Sequence, residues 1–294
     1  MREPRRARER RVTGNQAPVR PSVVPLFSLR GRLPLPIWYL YRAVRTVLIA
    51  SAFAGFWGGA VLLAWLVLPA VAVFAGRERR RACQRIVAGA FRVFHGYMSA
   101  LRLVEVRVIG ELRKDVLRTP VVFVANHTTL VDVTAIFSRV PDLCCVAKAG
   151  YASSPFVGRL LRLSGFIDTG TTVAERAASV DEAVRMLEQG FHVLVFPEGS
   201  RSPEGGLHRF HRGPFEIACR ANVPVVPLVL RCNPSALRRG QRFWAQPDEC
   251  ALLTIEIDEP VDPGKFEHRS RRMRESMQVY YRSRLGLDVG AEPG

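Results

Sequence analysis

Lysine is close to missing. Of 43 basic residues only Lys114, Lys148 and Lys265 are lysines, leaving 40 arginines. So uniform a bias reflects codon composition as well as chemistry, and it weakens any reading specific to arginine. Metal-ligand spacing is absent as well. Cys83, Cys144, Cys145, Cys219, Cys232 and Cys250 contain no CxxC pair and no Cys/His pattern, so no metal site is expected. Several sit in apolar runs, where cysteine acts as a small hydrophobe; this suits a reduced, cytosol-facing domain. The Gly-x-Ser-x-Gly elbow is missing around Ser200 and Ser202, which argues against a serine nucleophile. The formal charge of +17 suits nucleic acid, anionic lipid or phosphorylated ligands. With no zinc finger, RNA-recognition signature or basic–aromatic alternation, no nucleic-acid partner is expected.

Charge itself is missing from residues 47–76, a run of 30. That exceeds the roughly 20 apolar residues that cross a bilayer as a helix. The run begins too late and extends too far for an ordinary signal peptide. Tyr39, Tyr41, Trp57 and Trp65 supply interfacial anchors. Arg42 and Arg45 precede the run and Arg77, Arg79, Arg80 and Arg81 follow it, so flanking charge does not set an orientation. Two topologies fit: a bent helix pair entering and leaving on the cytoplasmic side, broken near Gly58-Gly59 or Pro69, or one tilted span.

The chain divides accordingly. Residues 1–36 read as a disordered basic tail, rich in Arg and Pro. Residues 37–81 read as a membrane-associated helical segment, 82–265 as an α/β domain, and 266–294 as a basic C-terminal helix and tail. In that last helix Met273, Met277 and Tyr281 form an apolar line, suited either to a membrane surface or to packing on the domain. Strands are expected at 104–109, 120–125, 143–147, 191–196, 224–231 and 251–258, alternating with helices. The fold class is therefore a mixed β-sheet flanked by helices. Val173, Ala177, Val180, Val184 and Leu187 mark one helix, stopped by Gly190, and 213–221 another.

Two segments carry chemistry. Ala125-Asn126-His127-Thr128-Thr129-Leu130-Val131-Asp132 leaves a β-rich run and reopens as a helix, a common place for chemistry in α/β proteins. There Asp132 can fix the tautomer of His127 and leave the other ring nitrogen free to take a proton. A helix cap with a first-turn acid is the plainer alternative. Phe196-Pro197-Glu198-Gly199-Ser200-Arg201-Ser202 also leaves a strand-like run; its glycine permits close approach, and Ser200 and Arg201 offer donors to an oxyanion.

Together, in this order, the two segments resemble the glycerolipid acyltransferase superfamily, and within it bacterial lysophosphatidate acyltransferases. Asn126-His127 with Asp132 matches the first block, a histidine and an aspartate with four residues between. Phe196 to Ser202 matches the third, with Ser200 where Thr is usual, and Val223-Pro224-Val225-Val226-Pro227-Leu228 the fourth. The resemblance implies an acyl transfer from acyl-CoA or acyl carrier protein to a lysophospholipid hydroxyl, without a bound cofactor, at the cytoplasmic face of a bacterial inner membrane. It implies His127 as base and Asp132 as its orienting acid. Asn126, Glu198, Gly199, Ser200 and Arg201 would bind substrate, and Pro227 would shape the donor side. One departure stands out: Thr169 occupies the slot where the second block usually carries an arginine, though Arg159, Arg162 or Lys148 lie near in sequence. This admits other acceptors, such as a lyso-ornithine lipid, a substituted lysophospholipid or a glycolipid. A non-catalytic membrane-binding module is the competing class.

Overall fold

A computed structural model describes residues 34–112, 115–150, 154, 158–242 and 245–287. The expected basic tail falls almost wholly outside them. The chain opens with α1 (Leu35–Leu62), passes through one π-helical stretch (Leu63–Val67), and continues as α2 (Leu68–Phe74). Gly58-Gly59 does not break it. The irregularity sits just ahead of Pro69, whose ring crowds the carbonyl four residues earlier and which has no N–H to give. The helix widens by one residue there, and the Leu68 N–H bonds the Leu63 carbonyl instead. Gly76, at φ +51°, then turns the chain into α3 (Arg79–Ala100).

One stripe of α1 and α2 is buried: Arg45, Ile49, Ala52, Ala60, Ala64 and Leu68. Small residues let α3 approach closely, and Phe56 packs on Phe91 and Phe94. The outward stripe is apolar too, with Leu40, Val44, Val47, Trp57, Leu62, Trp65, Leu66 and Phe74 all exposed.

Seven strands form one sheet: β1 (Val104–Ile109), β2 (Val122–Ala125), β3 (Leu143–Ala147), β4 (Phe166–Asp168), β5 (His192–Val195), β6 (Val225–Asn233) and β7 (Ala251–Ile257), in the order β1-β7-β6-β2-β5-β3-β4. Only β6 and β7 pair antiparallel. The mixed sheet agrees with the sequence pattern. β4, three residues long, is too short to show a period. Alternation along the central strands splits the core in two. Phe123, Ala125, Leu194, Val226 and Leu228 face α1, α3 and α4 (Asp132–Phe137). Val122, Val124, Val193, Val195 and Val229 face α6 (Val173–Glu188), α7 (Gly213–Ala221) and α8 (Ser270–Leu285). A shorter helix, α5 (Gly158–Leu163), lies between β3 and β4. Met273, Met277 and Tyr281 are buried, so the apolar line of α8 packs on the domain. Because β2 to β6 run parallel, all five release their C-terminal loops on one edge of the sheet.

Candidate active site

The two motif loops meet at that edge through backbone. Strand β2 delivers Asn126, whose side-chain amide donates to the Leu230 carbonyl (2.9 Å) and accepts from the Leu230 N–H (2.8 Å). It extends the β2–β6 ladder by one step, so both ends of the amide are committed to β6. His127 follows. Its backbone N–H donates to Glu198 Oε1 (3.0 Å), and its carbonyl accepts from the Ser202 N–H (2.6 Å). The 196–202 segment therefore holds His127 by both main-chain groups.

The imidazole is fixed separately. Nδ1 lies 2.9 Å from Asp132 Oδ2, and the ring rests on Phe196 with centroids 4.4 Å apart. Asp132 is fully buried and gathers donors: the N–H groups of Thr128 (2.6 Å) and Thr129 (2.8 Å) reach Oδ2, and the Thr129 hydroxyl reaches Oδ1 (2.5 Å). These donors occupy both oxygens of Asp132, and an adjacent carboxylate selects the tautomer with its proton on Nδ1. Nε2 is then the ring nitrogen left open; it makes no hydrogen bond among the described residues, and the side chain is 19% exposed. A lone pair facing solvent and backed by a buried carboxylate is suited to accept a proton.

Glu198 is 4% exposed. Besides the His127 N–H, it accepts from the Ser202 hydroxyl (2.6 Å) and the His208 N–H (2.9 Å). Burial pushes its pKa above the usual carboxylate value, and these three bonds pull the other way. The carboxylate faces protein donors on both oxygens, so it braces the two loops; the expectation that it lines the substrate site fits its position but not its bonding. Gly199 adopts φ +65°, and a Cβ there would come within 3.1 Å of the His211 ring, so both conformation and space call for glycine. The Ser200 hydroxyl makes no hydrogen bond among the described residues. Arg201 donates one Nη to the Leu237 carbonyl (3.0 Å), which also accepts the Leu130 N–H. Pro227 is buried within β6, paired with Val124. It lies in the sheet below the site.

On the far side of the edge, Lys148 leaves β3 exposed. Thr169, at the end of β4, accepts the Ala149 N–H on its hydroxyl (3.1 Å). It fastens the turn that carries Lys148. Sequence reasoning did not single out Thr128, Thr129, His208 or Leu237, because each acts through main-chain or local contacts that leave no motif. Among the described residues no group of three His, Cys, Asp or Glu side chains is placed to hold a metal ion.

Comparison with known proteins adds what the chain is similar to. Residues 104–231 match the family model described as Acyltransferase. The chain is 29% identical over 168 residues to the 1-acyl-sn-glycerol-3-phosphate acyltransferase alpha of Mus musculus, covering 55% of this chain and 59% of that one. It is 34% identical over 172 residues to the putative 1-acyl-sn-glycerol-3-phosphate acyltransferase acl-2 of Caenorhabditis elegans, covering 57% and 61%. The aligned segment thus spans about three-fifths of these relatives' own length. The fold resembles the crystal structure of the 1-acyl-sn-glycerophosphate (LPA) acyltransferase PlsC from Thermotoga maritima, with a TM-score of 0.61 at 22% identity, covering 87% of this chain and 99% of that one. Residues 104–231 are thus similar to an acyltransferase family model, and the fold is that of the Thermotoga maritima structure.

Proposed function

We propose that this protein is a membrane-associated O-acyltransferase that moves a fatty acyl group from acyl-CoA or acyl carrier protein to the free hydroxyl of a lysophospholipid, with 1-acyl-glycerol-3-phosphate as the leading acceptor. The observation that carries this reading is the His127 imidazole, bonded through Nδ1 to buried Asp132 and open at Nε2. An alcohol is a poor nucleophile at neutral pH, and a positioned base contributes typically about 10²–10⁴-fold. Nε2 takes the hydroxyl proton as the oxygen attacks the thioester carbonyl. The tetrahedral intermediate collapses with loss of thiolate, which recovers that proton from the imidazolium, and Asp132 stabilises the charged ring in between. The acceptor bears its phosphate toward Arg201 and Lys148, the cations this edge offers. Relatives named for 1-acyl-sn-glycerol-3-phosphate support the acceptor.

A second acceptor has one observation in its favour: Thr169, whose hydroxyl bonds the Ala149 N–H and supplies no charge. A diester or lyso-ornithine headgroup then becomes the substrate.

The outward apolar stripe of α1 and α2 supports a membrane surface as the resting place. This helix is fastened at both ends. Near its start Arg45 donates to the Pro247 and Glu249 carbonyls and Arg42 pairs with Asp248. Further on, Arg159 lies over the Trp65 ring. From Arg42 to Trp65 about 24 residues of helix, roughly 35 Å, therefore run along the domain. A perpendicular span would draw the domain into a hydrocarbon core about 30 Å thick. We therefore favour a helix lying in one leaflet of the bacterial cytoplasmic membrane, with the catalytic edge toward the cytoplasm and its thioester donors.

The test is acyl transfer by purified protein across a panel of lysolipids, with acyl-CoA and acyl carrier protein as donors and products identified by mass spectrometry. One hydroxyl ester formed in a His127-dependent manner is the expected result. Absence of transfer with every pair, from a folded preparation, overturns the enzyme reading in favour of a membrane-binding module.

A further inference from the structure

The bracing of His127 does not stop at the 196–202 segment. A second layer comes from α8, which lies beyond the family-matched residues 104–231. Gln278 donates from Nε2 to the His208 carbonyl (3.0 Å) and accepts the Phe210 N–H on Oε1 (2.7 Å). Its amide pairs with the 208–210 backbone as a neighbouring strand would. The His208 N–H in turn donates to Glu198 Oε2, and Glu198 Oε1 accepts the His127 N–H. One turn along α8, Tyr281 is fully buried; its phenol donates to the Val124 carbonyl (2.6 Å) and accepts the Leu228 N–H (3.1 Å). Val124 stands three residues before His127. The phenol bridges β2 and β6 just below the step that Asn126 closes.

Positions three apart share one helix face, so a single rigid element reaches the His127 loop by two routes. Packing alone does not call for this. Met273, Met277, Phe210 and Phe215 already supply the apolar contact between α8 and its surroundings. A buried phenol or amide is costly unless bonded, and both bond backbone that leads straight to the base.

We infer that α8 is part of the catalytic support, with Gln278 and Tyr281 as positioning residues that set the placement of His127 through Glu198 and Val124. The inference rests on the reading of His127 as the base. A shift of about 1 Å at a reacting group costs on the order of 10²-fold in rate.

The experiment uses the full-length chain and compares wild type, His127→Ala, Gln278→Leu, Gln278→Glu and Tyr281→Phe. It reads kcat and KM for lysophosphatidate and an acyl-CoA across about pH 5 to 8, where imidazole titrates, with thermal unfolding alongside. Gln278→Leu and Tyr281→Phe are expected to lower kcat about 10- to 100-fold and leave both KM values near wild type. Gln278→Glu separates positioning from packing. Its ionised form still accepts the Phe210 N–H but confronts the His208 carbonyl without a proton, and its neutral form donates as the amide does. Its activity relative to wild type should therefore rise as pH falls, while the ratio for Gln278→Leu stays flat. Unchanged kcat in the two α8 truncations, or losses that only track unfolded protein without recovery of Gln278→Glu at low pH, overturns the inference. If His127→Ala itself turns over normally, the base reading is what has failed.

Discussion

Two loops on the same edge of the sheet are built alike and do different work. After β2, Asp132 gathers the N–H groups of Thr128 and Thr129 and both their hydroxyls. After β4, Asp168 gathers the N–H groups of Gly170 (2.9 Å) and Gly150 (3.4 Å), and Thr169 takes that of Ala149. In each, an aspartate and a threonine give the turn its rigidity by bonding backbone donors. The first loop adds one ring, held at 2.9 Å from the same carboxylate and open on its other side. The second adds none, and fixes the turn that bears Lys148. Rigidity is thus common to both, and the first loop alone places a ring nitrogen open to solvent on it.

The comparison breaks most directly at that ring. His127→Ala should lower acyl transfer by about 10²–10⁴-fold and leave the fold intact, because the bonds to Glu198 and Ser202 use the His127 main chain. The matching change in the second loop, Thr169→Ala, removes one neutral hydrogen bond and should move kcat little. Steady-state rates for both, with thermal unfolding, decide it; equal losses would mean that the loops do not differ as argued. Asp132→Asn comes next. The amide oxygen can still take the Thr128 and Thr129 N–H groups, but the charge that steadies an imidazolium is gone. A drop of about 10²-fold in kcat is expected, with little change in KM.

A third test reaches the helix that the first loop feeds. His95, on α3, is buried with Nε2 2.9 Å from the Thr134 hydroxyl of α4. Thr134 donates its own proton to the Val131 carbonyl, so His95 is the donor and its Nδ1 stays bare and unpartnered. Burial, with Arg139 adding to it, lowers the His95 pKa to about 4. The fold prefers the neutral ring, so its contribution is whole above about pH 6.5 and is lost as pH falls through about 4. The shift corresponds to about 3 kcal/mol of acid-sensitive stability. His95→Gln keeps a donor for Thr134 and cannot titrate, so it should flatten that slope in urea unfolding measured from neutral to acid pH. An unchanged slope would place the acid sensitivity elsewhere.

What the sequence disclosed follows the range of the contacts involved. Strands β1 and β3 begin and end where alternation places them, and α6 and α7 follow their periodicity and glycine signals. His127 and Asp132 lie within one turn, so their meeting is local and readable. Pro69 was readable as a disturbance, though it shifted a helix by one residue where a break was expected. Asn126 pairing with Leu230, Glu198 with His127 and Gln278 with Phe210 join residues far apart in sequence. A side-chain amide or carboxylate that braces distant backbone leaves no periodic trace, so these bonds of Glu198 and Asn126 were not readable from sequence.

The smallest expected effect lies in the second loop. Thr169 stands where the resemblance leads one to expect an arginine, and its hydroxyl is engaged with the Ala149 N–H. Thr169→Arg gives up that bond, worth about 1 kcal/mol, and places a planar fork on the edge that already holds Arg201 and Lys148. A charge-assisted bond from the new guanidinium to a phosphate monoester is worth about 1.5–3 kcal/mol. The lost turn bond affects every acceptor alike, and a diester phosphate shares part of the new bond, so the net is about a tenfold rise in preference for lysophosphatidate. The measurement is kcat/KM for lysophosphatidate against a lysophospholipid with a substituted headgroup and against a lyso-ornithine lipid, in wild type and mutant. A wild type that already prefers the monoester strongly, with no change on mutation, would show that Arg201 and Lys148 hold the phosphate unaided. The second loop would then govern only the placement of Lys148. A wild type that prefers a substituted headgroup, converted by the arginine, would make Thr169 the residue that sets the acceptor.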